Sequence, residues 1–351
     1  MQIDNFKIGQ YLDPYIIAEI GVNHANSMAL AERMIDEAAE AGAHAAKFQT
    51  YKAERLASRY SPAYWDTSKE PTSSQFALFK KFDSFGPQQY KQLADYCERR
   101  GIHFLSTPFH DEAVDELCPL VPAFKIASAD ITNVPLLRKV AETGKPIIMS
   151  TGASTIAEVE FAVTTLRQAG AVDIALLHCV LNYPTPPNDA QLWNIAALKR
   201  AFPDTEVGYS DHVPPLTSMP ALELAALQGA VILEKHFTYD KSLEGNDHYH
   251  AMDKSDLASF TDRLSLFRTL QGTVGAGLDS QRAARQHARR SIVADKDLKA
   301  GHVIRATDIT VKRPAHGISP IFWDDVIGAK LNQDVSEDRP LAWRNLERSA
   351  G

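Results

Sequence analysis

Along most of the chain, short apolar runs alternate with longer segments whose apolar residues recur at helical spacing. The runs are YIIAEIGVN (15–23), AAKFQT (45–50), IHFLSTP (102–108), AFKIAS (123–128), PIIMSTG (146–152), IALLHCV (174–180), EVGYSDH (206–212) and VILEKHF (231–237). Between them, MALAERMIDEAAEAGA and TIAEVEFAVTTLRQAG gather Ala, Leu, Met, Ile and Val on one helical face. They stop at Gly42 and Gly170, where a glycine takes positive φ without strain. Eight strand–helix units in about 270 residues predict an α/β fold of the (β/α)8 TIM-barrel type, with parallel strands and right-handed crossovers. An open doubly wound sheet has the same rhythm, but no glycine-rich fingerprint follows the first strand.

Two stretches break the rhythm. Residues 52–86 are rich in Ser, Tyr, Pro and Lys (SRYSPAYWDTSKEPTSS). They read as an excursion after the second strand, on the face where barrel loops carry function, or else as a surface loop without a task. Towards the end, SQRAARQHARR is a basic polar segment, followed by short β-branched runs broken by Gly and Asp-Lys turns. The expected organisation is a barrel over 1–280, a linker over 281–290 and a small, mostly β domain over 291–351.

Composition narrows the partners. The net charge of −7 argues against a nucleic-acid or anionic-membrane surface, yet leaves room for a small anion held by a few cations in a pocket. Cys97, Cys118 and Cys179 stand far apart with no CxxC, which suits a reducing compartment. MQIDNFKIGQ lacks the basic-then-apolar pattern of a signal peptide, and no run approaches the roughly 20 apolar residues of a membrane span. The expectation is a cytoplasmic protein.

The chemistry sits at the ends of the runs. In a barrel, alternate residues point inward and the active site lies at the C-terminal strand ends. Nearly every run here finishes in groups able to do chemistry: Glu19; Lys47 and Gln49; Ser106 and Thr107; Lys125 and Ser128; Ser150 and Thr151; Ser210 and His212; Glu234 and His236. Spacing of two puts Ser210 with His212, Glu234 with His236, and Lys47 with Gln49 on shared faces. One such lysine alone snorkels to water, and one such histidine alone is most simply a structural hydrogen-bonding residue. Together they make a cationic, donor-rich cup suited to a phosphorylated, carboxylated molecule. Two neutral imidazoles on adjacent strands can share a divalent ion while leaving positions open for substrate and water. His178, inside ALLHCV, reads instead as a buried structural histidine.

IAEIGVNHANS, KFQT, FLSTPF, FKIASADITNVPL, PIIMSTG, LLHC with YPTP, GYSDH and EKHFT follow one another as they do in the sialic acid synthases. These are the N-acetylneuraminate synthases and their relatives for legionaminic, pseudaminic and spore-coat sugars. The likeness runs from about residue 10 onward, and the tail (SIVADKDLKAGHVI, VKRPAHG) resembles the antifreeze-like SAF, or β-clip, domain of these enzymes. It implies condensation of phosphoenolpyruvate with the open-chain aldehyde of an N-acylmannosamine-type sugar, giving a nonulosonic acid and phosphate. It implies a divalent ion, Mn2+ or Mg2+, with His212 and His236 as protein ligands. Lys47, Lys125, Thr107, Ser128, Ser150 and Ser210 would bind phosphoenolpyruvate. Glu19 would handle a proton or place the attacking water, and Glu234 would orient the sugar or a water beside the ion. Catalysis is thereby assigned to Glu19, Glu234 and Lys125. Gln49, Asp130, Tyr183 and Asp247 match sugar-contacting positions. Arg313 would reach from the tail into a partner's barrel, which makes the implied assembly a domain-swapped homodimer.

The chain departs from the family pattern in places. Val180 and Leu181 stand where polar residues are usual, with Asn182 following. Ala25-Asn26 replaces the usual residue-Gly, a turn that Asn can tolerate. In EGNDHYHAMD, Asp247 is followed by His248, Tyr249 and His250, with Ala251 where serine is common. These rings read as lining the sugar-tail pocket or an interface, or as a second metal site. Ala315-His316 replaces a frequent Gly-Asn beside Arg313. The competing functions are a metal-dependent hydrolase, which leaves the two lysines without a task, and a non-catalytic sugar-binding homologue.

Overall fold

A computed structural model describes the whole chain except residues 11, 66, 69, 217, 246, 274, 276 and 348–351. It forms two compact units, Met1–Gln271 and Gly272–Gly351. In the first, all eight apolar runs are strands: β1 Tyr15–Gly21, β2 Ala45–Thr50, β3 His103–Pro108, β4 Phe124–Ile126, β5 Ile147–Ser150, β6 Ile174–Cys179, β7 Glu206–Asp211 and β8 Ile232–His236. Their order is cyclic and every ladder is parallel, with β8 pairing back onto β1. Only β3 and β4 lie side by side without joining the ladder, so the barrel is nearly closed.

The helices form where expected. Met28–Glu40 starts at an N-cap Ser27 and gives way to Gly42 at φ 91°; Ile156–Gln168 starts at a Thr155–Glu158 capping box and gives way to Gly170 at φ 102°. Among the described residues, no helix is long and apolar enough to cross a membrane. The substituted turn after β1 holds both Ala25 and Asn26 at positive φ.

Two apolar layers result from strand alternation. One lies between strands and helices. The other fills the barrel interior with Tyr15, Ile17, Ala45, Leu105, Ala123, Ile148, Ala175, Leu177 and Ile232. An N-terminal hairpin of Gln2–Ile3 and Phe6–Lys7, not foreseen from the sequence, packs Ile3, Phe6 and Ile8 onto this inner layer. Gly208 of β7 leaves space that its neighbours fill: a Cβ there would stand 2.3 Å from Ile232 O and 2.6 Å from Leu177 Cδ2. Gly208→Ala is therefore expected to destabilise the barrel by about 1–3 kcal/mol or more through overpacking, read as a lowered urea midpoint.

The second unit has its own core, including Ile292, Leu298, Ile304, Ile309, Ile318, Leu331 and Leu341. Its regular sheet is one antiparallel pair, Ser291–Ala294 with Ile309–Lys312, extended by isolated bridges. Part of the basic stretch expected as linker is a short helix, Arg282–His287, within this unit.

Candidate active site at the barrel mouth

The inward rows change character at the C-terminal strand ends. Tyr15 and Ile17 lead to Glu19, Ala45 to Lys47, Leu105 to Thr107, Ala123 to Lys125, Ile148 to Ser150, Leu177 to Cys179, and Ile232 to Glu234 and His236. Register then aligns them. His236 lies opposite Glu19, Glu19 opposite Lys47, and Ser210 lies between Cys179 and Glu234. At Gly21 the β1–β2 ladder shifts, with Gly21 at φ 55°; a Cβ would come within 3.3 Å of Glu19 Oε1 and 3.2 Å of Gln49 Nε2. Glycine there lets the strand bend away while Glu19 stays in the mouth.

Four buried charges interlock. Lys47 Nζ is 2.6 Å from Glu19 Oε2, 3.6 Å from Glu234 Oε2 and donates to Thr107 Oγ1 at 3.3 Å. Lys125 Nζ is 3.7 Å from Glu234 Oε1 and donates to Ser150 Oγ at 2.7 Å. Ser210 Oγ donates to Glu234 Oε1 at 2.9 Å, and Gln49 Nε2 to Glu19 Oε1 at 3.2 Å. Burial raises the Glu19 carboxyl to about 7, against the pull of Lys47 and with added repulsion from Glu234. Burial also pushes Glu234 up, but Lys125 and Lys47 outweigh it and hold that carboxyl low. Burial depresses Lys125; in Lys47 the same effect is overcome by Glu19 and Glu234. Thus one carboxyl is poised to exchange a proton near neutrality while the other remains a fixed anion.

Because the folded state holds the Glu19 proton to higher pH than an unfolded chain does, it binds more protons between about pH 4.5 and pH 7. Stability falls as pH rises through that window. Glu19→Gln is expected to flatten that part of the slope, measured as denaturation free energy of variant and wild type at pH 5 and pH 8.

Beside this tetrad stand three imidazoles and a phenol. Ring centroids of His212 and His236 are 5.5 Å apart, and Tyr183 lies over His212 at 4.2 Å. His212 Nδ1 is 2.7 Å from Val180 O. As a donor there it leaves Nε2 for a ligand, the usual device for fixing a metal-binding tautomer. The backbone of Val180 thus serves the site although its side chain is apolar. Burial, with His250 and His212 nearby, keeps the His236 imidazole neutral well below its ordinary range. His236 Nδ1 is buried with no hydrogen-bond partner among the described residues and lies 3.8 Å from Asp247 Oδ2. Neutral imidazole and carboxylate donors around an unsatisfied nitrogen fit a divalent ion.

A cavity of about 410 Å³ opens over these groups. Every residue given a role by the resemblance borders it, Gln49, Ser128, Asp130 and Asp247 included, except Arg313; Ser106 and Thr151, also read at the strand ends, do not, Ser106 pairing with Thr50 Oγ1 at 2.7 Å and Thr151 donating to Leu177 O at 3.1 Å. Ser128 accepts from Gly152 N at 2.9 Å, and Asp130 from Asn133 Nδ2 at 3.0 Å. Arg313 lies exposed in the second unit, directly after the strand ending at Lys312. Sequence reasoning missed Cys179 and an apolar wall of Leu56, Tyr64, Trp65, Phe79, Phe82 and Phe109. Most of that wall comes from 52–86, so the excursion lines the cavity. Its aromatic content was the available signal. His178 Nε2 donates to Ala190 O at 2.8 Å and its ring stacks on Tyr209, a structural residue as expected.

Fold and mouth together define a (β/α)8-barrel protein with a lysine–glutamate tetrad and a histidine cluster at the C-terminal ends of its strands, joined to a small β domain. Residues 34–275 match the NeuB family and residues 289–347 the SAF domain. The chain belongs to the NeuB family. It is 38% identical over 351 residues to an uncharacterized protein of Methanocaldococcus jannaschii, covering 99% of this chain and 98% of that one. It is 37% identical over 334 residues to the N,N'-diacetyllegionaminic acid synthase of Campylobacter jejuni, covering 92% and 97%. Among solved structures, the N-acetylneuraminic acid (sialic acid) synthetase of Leptospira borgpetersenii, in complex with citrate, is 33% identical with a TM-score of 0.71, over 81% of this chain and 94% of that one.

Proposed function

We propose that this protein is a nonulosonic acid synthase: it condenses phosphoenolpyruvate with the open-chain aldehyde of an N-acylmannosamine-type sugar and releases phosphate. Membership of the NeuB family and the sialic-type synthases among its relatives support an enzyme of this kind. The observation that carries the finer reading is the meeting of two buried lysines and two histidines in one cavity, bridged by Glu234. In this scheme Lys47, Lys125, Thr107, Ser128, Ser150 and Ser210 hold the carboxylate and phosphate of phosphoenolpyruvate. With Glu19 protonated, the tetrad carries one net positive charge and favours an anion. Glu19 then exchanges a proton with the attacking water or the departing group. His212 and His236 would hold a divalent ion, which would supply Lewis-acid polarisation of the aldehyde oxygen. Glu234 orients the sugar or water beside it, and Gln49, Asp130, Tyr183 and Asp247 position the sugar chain. Arg313 acts only in the proposed domain-swapped homodimer, on the barrel of the other copy.

The test is phosphate release across amino-sugar acceptors, with mass spectrometry of products. Release is expected only when phosphoenolpyruvate, an N-acylated aldose and a divalent ion are all present. Release without a sugar, or sugar turnover without phosphoenolpyruvate, would point to a hydrolase and overturn the proposal.

A further inference from the structure

The family resemblance accounts for two imidazoles at the mouth; the structure brings a third. His250 is fully buried, with its ring centroid 5.0 Å from that of His236, 6.3 Å from that of His212 and 5.7 Å from that of Tyr183. Donor atoms of His236, Asp247 and His250 all lie within 4.8 Å of one another. Ligands on one ion bonded at about 2.0–2.2 Å stand roughly 3–4.4 Å apart, so small side-chain adjustments close this shell. His212 is not in this tighter group, and His236 is the member common to both sets. The backbone explains how the loop gets there. Met252 N donates to His236 O and Thr238 N to Met252 O, while Asn23 Nδ2 donates to Phe237 O and Asp247 O. The His-x-His stretch is thereby folded back over the end of β8.

We propose that Asp247 and His250 join His212 and His236 as direct ligands of the catalytic ion, and that the added imidazole and carboxylate select a transition metal over Mg2+. The inference rests on the proposed metal-dependent reading of the mouth and deepens it. Imidazole donors suit Mn2+, Fe2+, Co2+ or Zn2+, whereas Mg2+ demands near-octahedral oxygen ligands and retains its waters. Asp247 then acts on the ion, beyond its expected contact with the sugar.

The experiment has two arms on the full-length protein. In the first, crystals of the wild type are soaked with Mn2+ and the ion is located by anomalous diffraction. An ion bonded to His250 and Asp247 as well as to His212 and His236 supports the proposal. An ion on His212 and His236 alone overturns it and leaves the two-histidine reading intact; no bound ion overturns both. In the second, Mn2+ affinity is measured by calorimetry without substrates for wild type and His250→Gln, with thermal melting to establish folding. His250→Gln is expected to bind Mn2+ about 10–100-fold more weakly and to lose preference over Mg2+. Affinity and preference within twofold of wild type in a folded variant would overturn the proposal. Should the variant not fold, the diffraction arm decides alone.

Discussion

Lys47→Met is expected to lower turnover by at least about 10³-fold and to destabilise the barrel by roughly 3–5 kcal/mol at pH 8. Methionine fits the space, but Glu19 at 2.6 Å and Glu234 at 3.6 Å lose their shared cation while remaining buried. An uncompensated buried charge, rather than lost packing, sets the cost. The sign with pH follows. Glu19 already binds its proton up to about pH 7, and removing Lys47 raises that value further, so at pH 5 the carboxyl is neutral and most of the penalty disappears. Adding Glu19→Gln to Lys47→Met should restore part of the stability at pH 8, without restoring turnover. Urea denaturation at the two pH values reads the stability; phosphate release reads the activity. A single variant with turnover within tenfold of wild type would remove Lys47 from the anion site.

Chelation is the second large effect. Treatment with EDTA should abolish phosphate release, and added Mn2+ should restore it. His236→Ala should lose at least about 10²-fold in turnover that Mn2+ at levels saturating the wild type does not recover. The fold should survive, because this side chain borders the cavity rather than the packed inner layer. Phosphoenolpyruvate binding should persist, since Lys47 and Lys125 stay in place; calorimetry checks this. Full turnover of His236→Ala, or of metal-stripped enzyme, would contradict the assignment of His236 to an ion.

Charge bookkeeping links the two results. The tetrad is neutral when fully ionised, so anion affinity depends on the state of Glu19. The histidine cluster lies in register with that same carboxyl, His236 standing opposite Glu19 across the β8–β1 ladder. In the proposed mechanism, anion binding and metal-assisted chemistry would therefore meet at one residue. This coupling belongs to the proposed mechanism, and the variants above separate its parts.

The sequence by itself determined the eight strands, the parity of their terminal residues and thus which of them share a face. Strand alternation is local, so pairing Ser210 with His212, Glu234 with His236 and Lys47 with Gln49 on shared faces, and placing Glu19 and Lys125 at strand ends, required no coordinates. It also marked residues 52–86 as an interruption, yet could not place their aromatic wall, because a loop's position depends on what it packs against. Only the tertiary structure decided which charges touch. The raised Glu19 carboxyl and lowered Glu234 carboxyl come from burial and from distances to two lysines on different strands. The third imidazole was likewise visible as His-x-His in the sequence, read there as lining the sugar-tail pocket or an interface or as a second metal site. Its meeting with His236 depends on the loop after β8 folding back through long-range backbone hydrogen bonds, and local periodicity carries no record of such closure.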